Sequence, residues 1–223
     1  MKLLLVGNHT CGNRGDGAIL RGLIAELRSQ QPDIKLDIYS RFHVSSSYLL
    51  NETLHPDPLD EYHSSGGSFK ERLWKRVSQR FLGYSLAKKL KSNNISKLPE
   101  HIQQYIERLK GYDAVIQVGG SFFVDLYGPA QFEHALCALI ANKKLFMLGH
   151  SVGPFDSKKY SALANQVFSS VDSLALRESL SLDYMRSASI SNSKVTSGAD
   201  TAWTVPNNVL TLKPHLTKLV TGR

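Results

Sequence analysis

Apolar residues fall along this chain in two rhythms, short runs or two-residue alternations that predict strands, followed by three-to-four-residue repeats that predict helices. Lys2–Gly7 is a compact apolar run of the buried-strand kind, and a glycine-rich loop leads from it into an amphipathic stretch, Ala18–Gln30, that Pro32 ends. Ile34, Leu36 and Ile38 alternate with Lys35 and Asp37, which predicts a second strand, Ile34–Tyr39, with one more exposed face. From Asn51 to Gly67, Pro56, Pro58 and Gly66-Gly67 predict a long irregular loop. Phe69, Leu73, Val77 and Phe81 then recur every four residues, with basic side chains on the other face, and predict a cationic amphipathic helix that Gly83 bends.

After a helix over Pro99–Lys110 the alternation becomes regular. Strands are predicted at Ala114–Val118, Leu145–Gly149, Ser173–Leu176 and Lys194–Thr196, and helices at Ala130–Asn142, Lys158–Ser170 and Leu180–Ser187. Strands and helices at this spacing require right-handed crossovers, so the expected fold is α/β, a Rossmann-like, mostly parallel sheet flanked by helices. The expected domain covers residues 1–205, with a basic helical insertion at about 68–98. Residues 206–223, poor in apolar side chains, are expected to be a linker toward another domain.

Composition changes this picture little. Cys11 and Cys137 stand far apart, with no CxxC and no Cys/His cluster at zinc spacing, so neither a disulfide framework nor a structural metal is expected. No apolar run reaches signal-peptide or membrane-span length, which predicts a cytoplasmic protein. The formal net charge of +8 invites a nucleic-acid reading, but it is concentrated. Between Ser68 and Lys91, eight Lys and Arg face the single acid Glu71, while the rest of the chain is nearly neutral. A charge confined to one segment argues against a nucleic-acid partner.

Candidate chemistry gathers at the carboxyl ends of the predicted strands, where parallel sheets bind ligands. The first loop, Gly7 to Gly17, holds Asn8, Gly12, Asn13, Gly15 and Asp16; later ends hold Gly119-Gly120-Ser121, His150-Ser151 with Gly153, Arg177-Glu178-Ser179, and Asp200. Gly12-x-x-Gly15-x-Gly17 reverses the dinucleotide spacing and lacks the lysine of the NTPase phosphate loop, so NAD, ATP and GTP are not expected. Each residue also has a structural reading. Asp16 suits a helix cap, the glycines suit tight turns, His150 suits a satisfied interior histidine, and Asp200 suits a turn cap. Arg177, directly after an apolar Leu-Ala-Leu strand, is the foremost candidate for function.

The motifs Gly7-Asn8-His9-Thr10-Cys11-Gly12-Asn13-Arg14-Gly15-Asp16, Gln117-Val118-Gly119-Gly120-Ser121-Phe122-Phe123-Val124-Asp125, Gly149-His150-Ser151-Val152-Gly153-Pro154-Phe155, Arg177-Glu178-Ser179 and Asp200-Thr201-Ala202 occur in this order over most of the chain. Together they resemble the bacterial polysaccharide pyruvyl transferases, closest to the amylovoran and colanic acid biosynthesis members. The resemblance implies the amino-terminal domain of a GT-B-like two-domain transferase. It also implies phosphoenolpyruvate as donor substrate, a lipid-linked oligosaccharide as acceptor, a pyruvate ketal as product, and no further cofactor. It places Arg177 in the donor site, with Asp200 beside it, and leaves Asp200, Asp16 and His150 as catalytic candidates. The family's Gly-Thr-Arg-Leu-His type segment, which supplies another Arg and a His, does not occur before Arg223. The chain alone is therefore expected to be inactive, and the surface a second domain would cover is expected to favour a homodimer.

Two other functions fit the same pattern, a nucleotide-sugar glycosyltransferase domain and a non-catalytic acceptor-binding or scaffold module. Arg72, Lys75, Arg76 and Arg80 further suggest peripheral contact with anionic lipid at the cytoplasmic face of the inner membrane, at about 1 kcal/mol per basic residue. Sedimentation with anionic vesicles should show binding that Lys75→Glu, Arg76→Glu and Arg80→Glu together abolish; binding that the triple change leaves intact would sink the idea.

Overall fold

The computed structural model describes residues 1–60, 69–92, 98–190 and 193–206, with the backbone alone described over 69–80. Seven parallel strands, β1 (Lys2–Asn8), β2 (Lys35–Ser40), β3 (His55–Pro56), β4 (Ala114–Phe123), β5 (Lys144–Val152), β6 (Ser173–Leu176) and β7 (Val195–Ser197), form one sheet in the order β3-β2-β1-β4-β5-β6-β7. The chain winds outward from β1 to β3, then returns to the other side of β1. The direction of winding therefore reverses between β1 and β4, which opens a crevice at their carboxyl ends.

Alternating side chains serve two cores, as the two-residue period of a strand demands. Leu3 and Leu5 of β1, with Ala114, Ile116 and Val118 of β4, pack against Ile19, Leu20, Leu23 and Ile24 of the helix Arg14–Gln30. Leu4, Val6 and Val115 face the other way, into a larger core with the helices Glu100–Leu109, Glu133–Ile140 and Lys158–Phe168. Both faces are thus covered, as an all-parallel sheet requires.

Several boundaries differ from expectation. The first helix starts at Arg14 rather than Ala18, because the Asn13 side chain accepts from Gly15 N at 3.0 Å and caps it. Asp16 is not the cap but lies in the first turn, where a carboxylate suits the helix dipole. A helix, His43–Leu50, adds to the predicted elements, and β3 lies inside the stretch expected to be an irregular loop. The helix expected over Ala130–Asn142 begins as a 3-10 turn, Pro129–Phe132, and is α-helical only over Glu133–Ile140.

The basic helix runs unbroken from Phe69 to Ser92. Gly83, expected to bend it, lies within its span; a side chain there would meet Pro129 O at 2.5 Å, so the glycine is what admits the Pro129–Phe132 turn. Leu82, Leu86 and Ala87 form the buried face, while Phe81, expected on the apolar stripe, is half exposed under the Lys159 ammonium. Arg72, Lys75, Arg76 and Arg80, and with them the question of lipid contact, lie outside the residues whose side chains are described, as do residues 207–223 of the expected linker. Among the described residues no helix is long and apolar enough to cross a membrane.

β4 and β5 are longer than the sequence predicts. Gly119, Gly120 and Ser121 belong to β4, and His150 and Ser151 to β5, instead of to the loops beyond them. A side chain on Gly119 would stand 2.5 Å from Gly149 O and 2.6 Å from Leu148 O, so this glycine lets the two strands close. His150 is fully buried, its Nε2 donating to Gln117 O at 3.1 Å and its ring edge-on to Phe123. Burial disfavours the charged imidazole and pushes its pKa from 6.5 down to about 4.

Two predictions follow from this packing. Gly83→Ala gains about 1 kcal/mol of helix propensity but overpacks against Pro129 at a cost of about 1–3 kcal/mol; urea unfolding should show a net loss, and a gain would refute the close approach. At His150 the unfolded state binds the proton first, so stability falls as pH drops from 6.5 toward about 4 and then levels off. That loss is up to about 3 kcal/mol, and His150→Phe should remove it; equal pH profiles of the two proteins in urea unfolding between pH 7 and 4 would contradict it.

Candidate functional site

Four strand ends converge on one guanidinium. Arg177 leaves the end of β6, where its backbone N–H donates to His150 O at 3.1 Å. Its Nε donates to Ser151 Oγ of β5 at 2.6 Å and to Glu178 Oε2 at 3.3 Å. One terminal nitrogen donates to Asp200 Oδ2 at 2.8 Å, and the other to Ser121 Oγ of β4. Arg177 and Asp200 keep 25% and 20% of their side-chain surface exposed, so the pair is sheltered yet open to a ligand.

The anchoring of this cluster explains its geometry. Glu178 accepts from Ser151 Oγ at 2.9 Å and from Ser181 Oγ, whose hydroxyl in turn accepts from Val152 N at 2.9 Å. Asp200 spends its second oxygen on Ala202 N at 2.9 Å, capping the 3-10 turn Thr201–Thr204. That turn sits on the first helix, Thr201 Oγ1 donating to Ile19 O at 2.8 Å. Gly22 makes the seat: any side chain there would collide with Thr201 O at 1.8 Å. The cap role expected of Asp200 and its place beside Arg177 are therefore held together. One cation faces two carboxylates, so the cluster as built carries net negative charge.

Other residues singled out in the sequence have different surroundings. Asn8 is buried, accepting from Ser40 Oγ at 3.0 Å. Gly12, Asn13 and Gly15 are exposed at the start of the first helix. Burial pushes the Asp16 carboxyl up, against the opposing pull of His9. Gly120 is buried, and its bare Cα seats the Phe122 ring, which a side chain would meet at 2.1 Å. Gly153 combines a φ of +78° with Tyr184 at 2.6 Å from where a side chain would start, so both conformation and space select glycine. His150 is enclosed in the core with Nε2 hydrogen-bonded and its buried Nδ1 without a hydrogen-bond partner, so it is an interior histidine but not the fully satisfied one the sequence suggested. Cys11 and Cys137 are both buried thiols whose pKa burial raises.

A second feature occupies the crevice between β1 and β4. A cleft of about 380 Å³ is lined by Phe122, Tyr127, Arg41 and Asp60, with Asp57 and His134 also lining it. Arg41 pairs with Asp60 at 2.9 Å. Tyr105 OH, His134 and Asp57 form a chain, at 2.8 Å to Nδ1 and 3.0 Å from Nε2 to Asp57 Oδ2, and the His134 ring helps hold the Asp57 carboxyl below its ordinary range against the effect of burial. None of these six stands in a glycine-rich strand-end motif except Phe122. Gly7, Asn8 and His9 of the first motif also line the cleft, so the candidate Asn8 belongs to it; the other walls are brought there only by the fold, at the reversal of winding between β1 and β4.

Comparison with known proteins agrees with this architecture. The model of the polysaccharide pyruvyl transferase family matches residues 13–216. The amylovoran biosynthesis protein AmsJ of Erwinia amylovora is 51% identical over 215 residues, which is 96% of this chain and 52% of that protein. The chain thus spans about half the length of this relative. Among solved structures, Anabaena Alr3699/HepE, in complex with UDP and glucose, superposes with a TM-score of 0.52 at 12% identity over 89% of this chain and 44% of its own. A putative UDP-N-acetylglucosamine 2-epimerase from Listeria monocytogenes gives 0.50 at 10% identity over 98% of this chain and 50% of its own. These two likenesses are of fold alone, that of the expected Rossmann-like, GT-B-type domain. Family model, identity and order of motifs together establish that this chain belongs to the polysaccharide pyruvyl transferase family.

Proposed function

We propose that the chain supplies one half of a pyruvyl transferase that moves the enolpyruvyl group of phosphoenolpyruvate onto a sugar of an exopolysaccharide repeat unit carried on a lipid. In that reaction two acceptor hydroxyl oxygens bond to C2 of the donor and the C2–O bond to phosphate breaks. C3 gains a proton to become methyl, the second hydroxyl proton leaves with the phosphate, and the product is a pyruvate ketal. The observation that carries this reading is the convergence of Ser121, Ser151, Arg177 and Asp200, each from a different motif, on one partly open guanidinium. Arg177 is the group suited to the donor's carboxylate or phosphate, which planar guanidinium binds in pairs of hydrogen bonds.

Charge sets what this half lacks. Glu178 and Asp200 already compensate Arg177, and a polyanionic donor added there would meet excess negative charge. On this reading further cations, and the acid that protonates C3, are supplied by the part of an AmsJ-like relative that this chain does not span, and the chain by itself should not turn over.

The test is phosphate release from phosphoenolpyruvate with a lipid-linked oligosaccharide, comparing the chain with a form extended by the second half of an AmsJ-like relative. The extended form alone should be active, and Arg177→Ala should lower its kcat/KM roughly a hundred- to a thousandfold. Absence of turnover in both forms across a broad acceptor screen would remove the chemistry and leave the glycosyltransferase or scaffold reading.

A further inference from the structure

The cleft between the ends of β1 and β4 has the composition of a site for an uncharged, hydroxyl-rich ring. Its volume of about 380 Å³ is at the small end of ligand sites and suits one or two sugar rings. Phe122 and Tyr127 meet edge to face with centroids 6.4 Å apart and present an apolar ledge, Tyr127 being 51% exposed. Such a ledge is suited to the C–H face of a pyranose, in the way that aromatic walls combine apolar area with a fixed orientation.

The polar side of the cleft points to the same ligand. Asp60 already neutralises Arg41, and Asp57 is held ionised by His134. No uncompensated cation among these groups awaits an anion, while carboxylate and guanidinium side by side offer an acceptor and a donor to neighbouring hydroxyls. The Tyr105–His134–Asp57 chain fixes the Asp57 carboxylate, so its direction is set before any ligand arrives. Behind the wall, the Gln117 amide lies against Gly7 and donates to Gln131 O at 3.1 Å, both lining residues, and its buried Oε1 has no hydrogen-bond partner.

We propose that this cleft is a saccharide subsite, with the ring stacked on Phe122 and Tyr127 and its hydroxyls held by Arg41, Asp60 and Asp57. Its identification with the acceptor's sugar rests on the pyruvyl transferase reading; the binding chemistry does not. Phe122 follows Ser121, the partner of Arg177, so a single strand end carries one wall of this site and one anchor of the other.

Saturation-transfer NMR and shift titration of this chain with methyl hexopyranosides and a β-linked disaccharide, in the absence of phosphoenolpyruvate, test the proposal. Saturation should fall on ring C–H protons, Tyr127→Ala should weaken binding about fivefold and Asp60→Asn about tenfold, with unfolding midpoints unchanged. Arg177→Ala should leave saccharide binding as it is, and inorganic phosphate should not compete. The proposal is overturned if no saccharide binds, if both cleft variants bind like wild type, or if phosphate displaces the sugar. Because the readout needs no turnover, saccharide binding without pyruvyl transfer would remove the transferase reading alone, and transfer without cleft binding would remove this one alone.

Discussion

The pairing of β4 with β5 is the constraint on which both candidate sites depend. These strands are the longest in the sheet, ten and nine residues against four for β6 and three for β7, and they stay in register from Ala114–Lys144 to Gly120–His150 before slipping at Phe123–Val152. Each extra residue carries an element about 3.3 Å further, so the central strands overrun their neighbours. Ser121 and Ser151 sit on the overrun, and only there can they reach the Arg177 guanidinium at the end of the shorter β6. The overrun in turn depends on Gly119, since two backbone carbonyls occupy the space a side chain would need.

That dependence explains what could be read from the sequence. The order of strands and helices, the two-faced burial of β1 and the ends of β6 were legible because apolar periodicity reports burial directly. The extension of β4 was not. Glycine, glycine and serine are turn residues by local preference, and here a close strand–strand approach outweighs that preference. The same conflict moved His150 from an expected loop into the core. Arg177, Asp200, Ser121 and Ser151 could be named in advance, since each closes a strand. Asp57 and His134 could not, being 77 residues apart and joined only by the fold.

The electrostatic state of Arg177 shapes the chemistry more than its presence does. A guanidinium hydrogen-bonded to two carboxylates and two hydroxyls is oriented at low entropic cost. Its charge is spent, however, and an incoming anion gains from it only if a carboxylate withdraws or another cation arrives. Asp200 is poorly placed to withdraw, because its other oxygen caps a turn that Gly22 clamps to the first helix. Glu178, with 39% of its side-chain surface exposed, is the freer of the two. On the proposed reading charge is added by the other half of the protein, and a site shared between two halves would then serve electrostatics as well as shape.

The end of β4 separates the two sites by one residue. Successive side chains of a strand point to opposite sides, and here Ser121 turns to Arg177 while Phe122 turns to the cleft. Gly120 makes the second turn workable, because the Phe122 ring occupies the volume its side chain would fill. The two adjacent glycines of β4 therefore act in different directions, one closing the sheet that supports the Arg177 cluster and the other seating the Phe122 ring. The proposed reaction joins an enol phosphate to two hydroxyls of a sugar, and it needs both ligands at bonding distance. A strand end that carries one residue of each candidate site side by side would meet that requirement of the proposal without any loop having to span the gap.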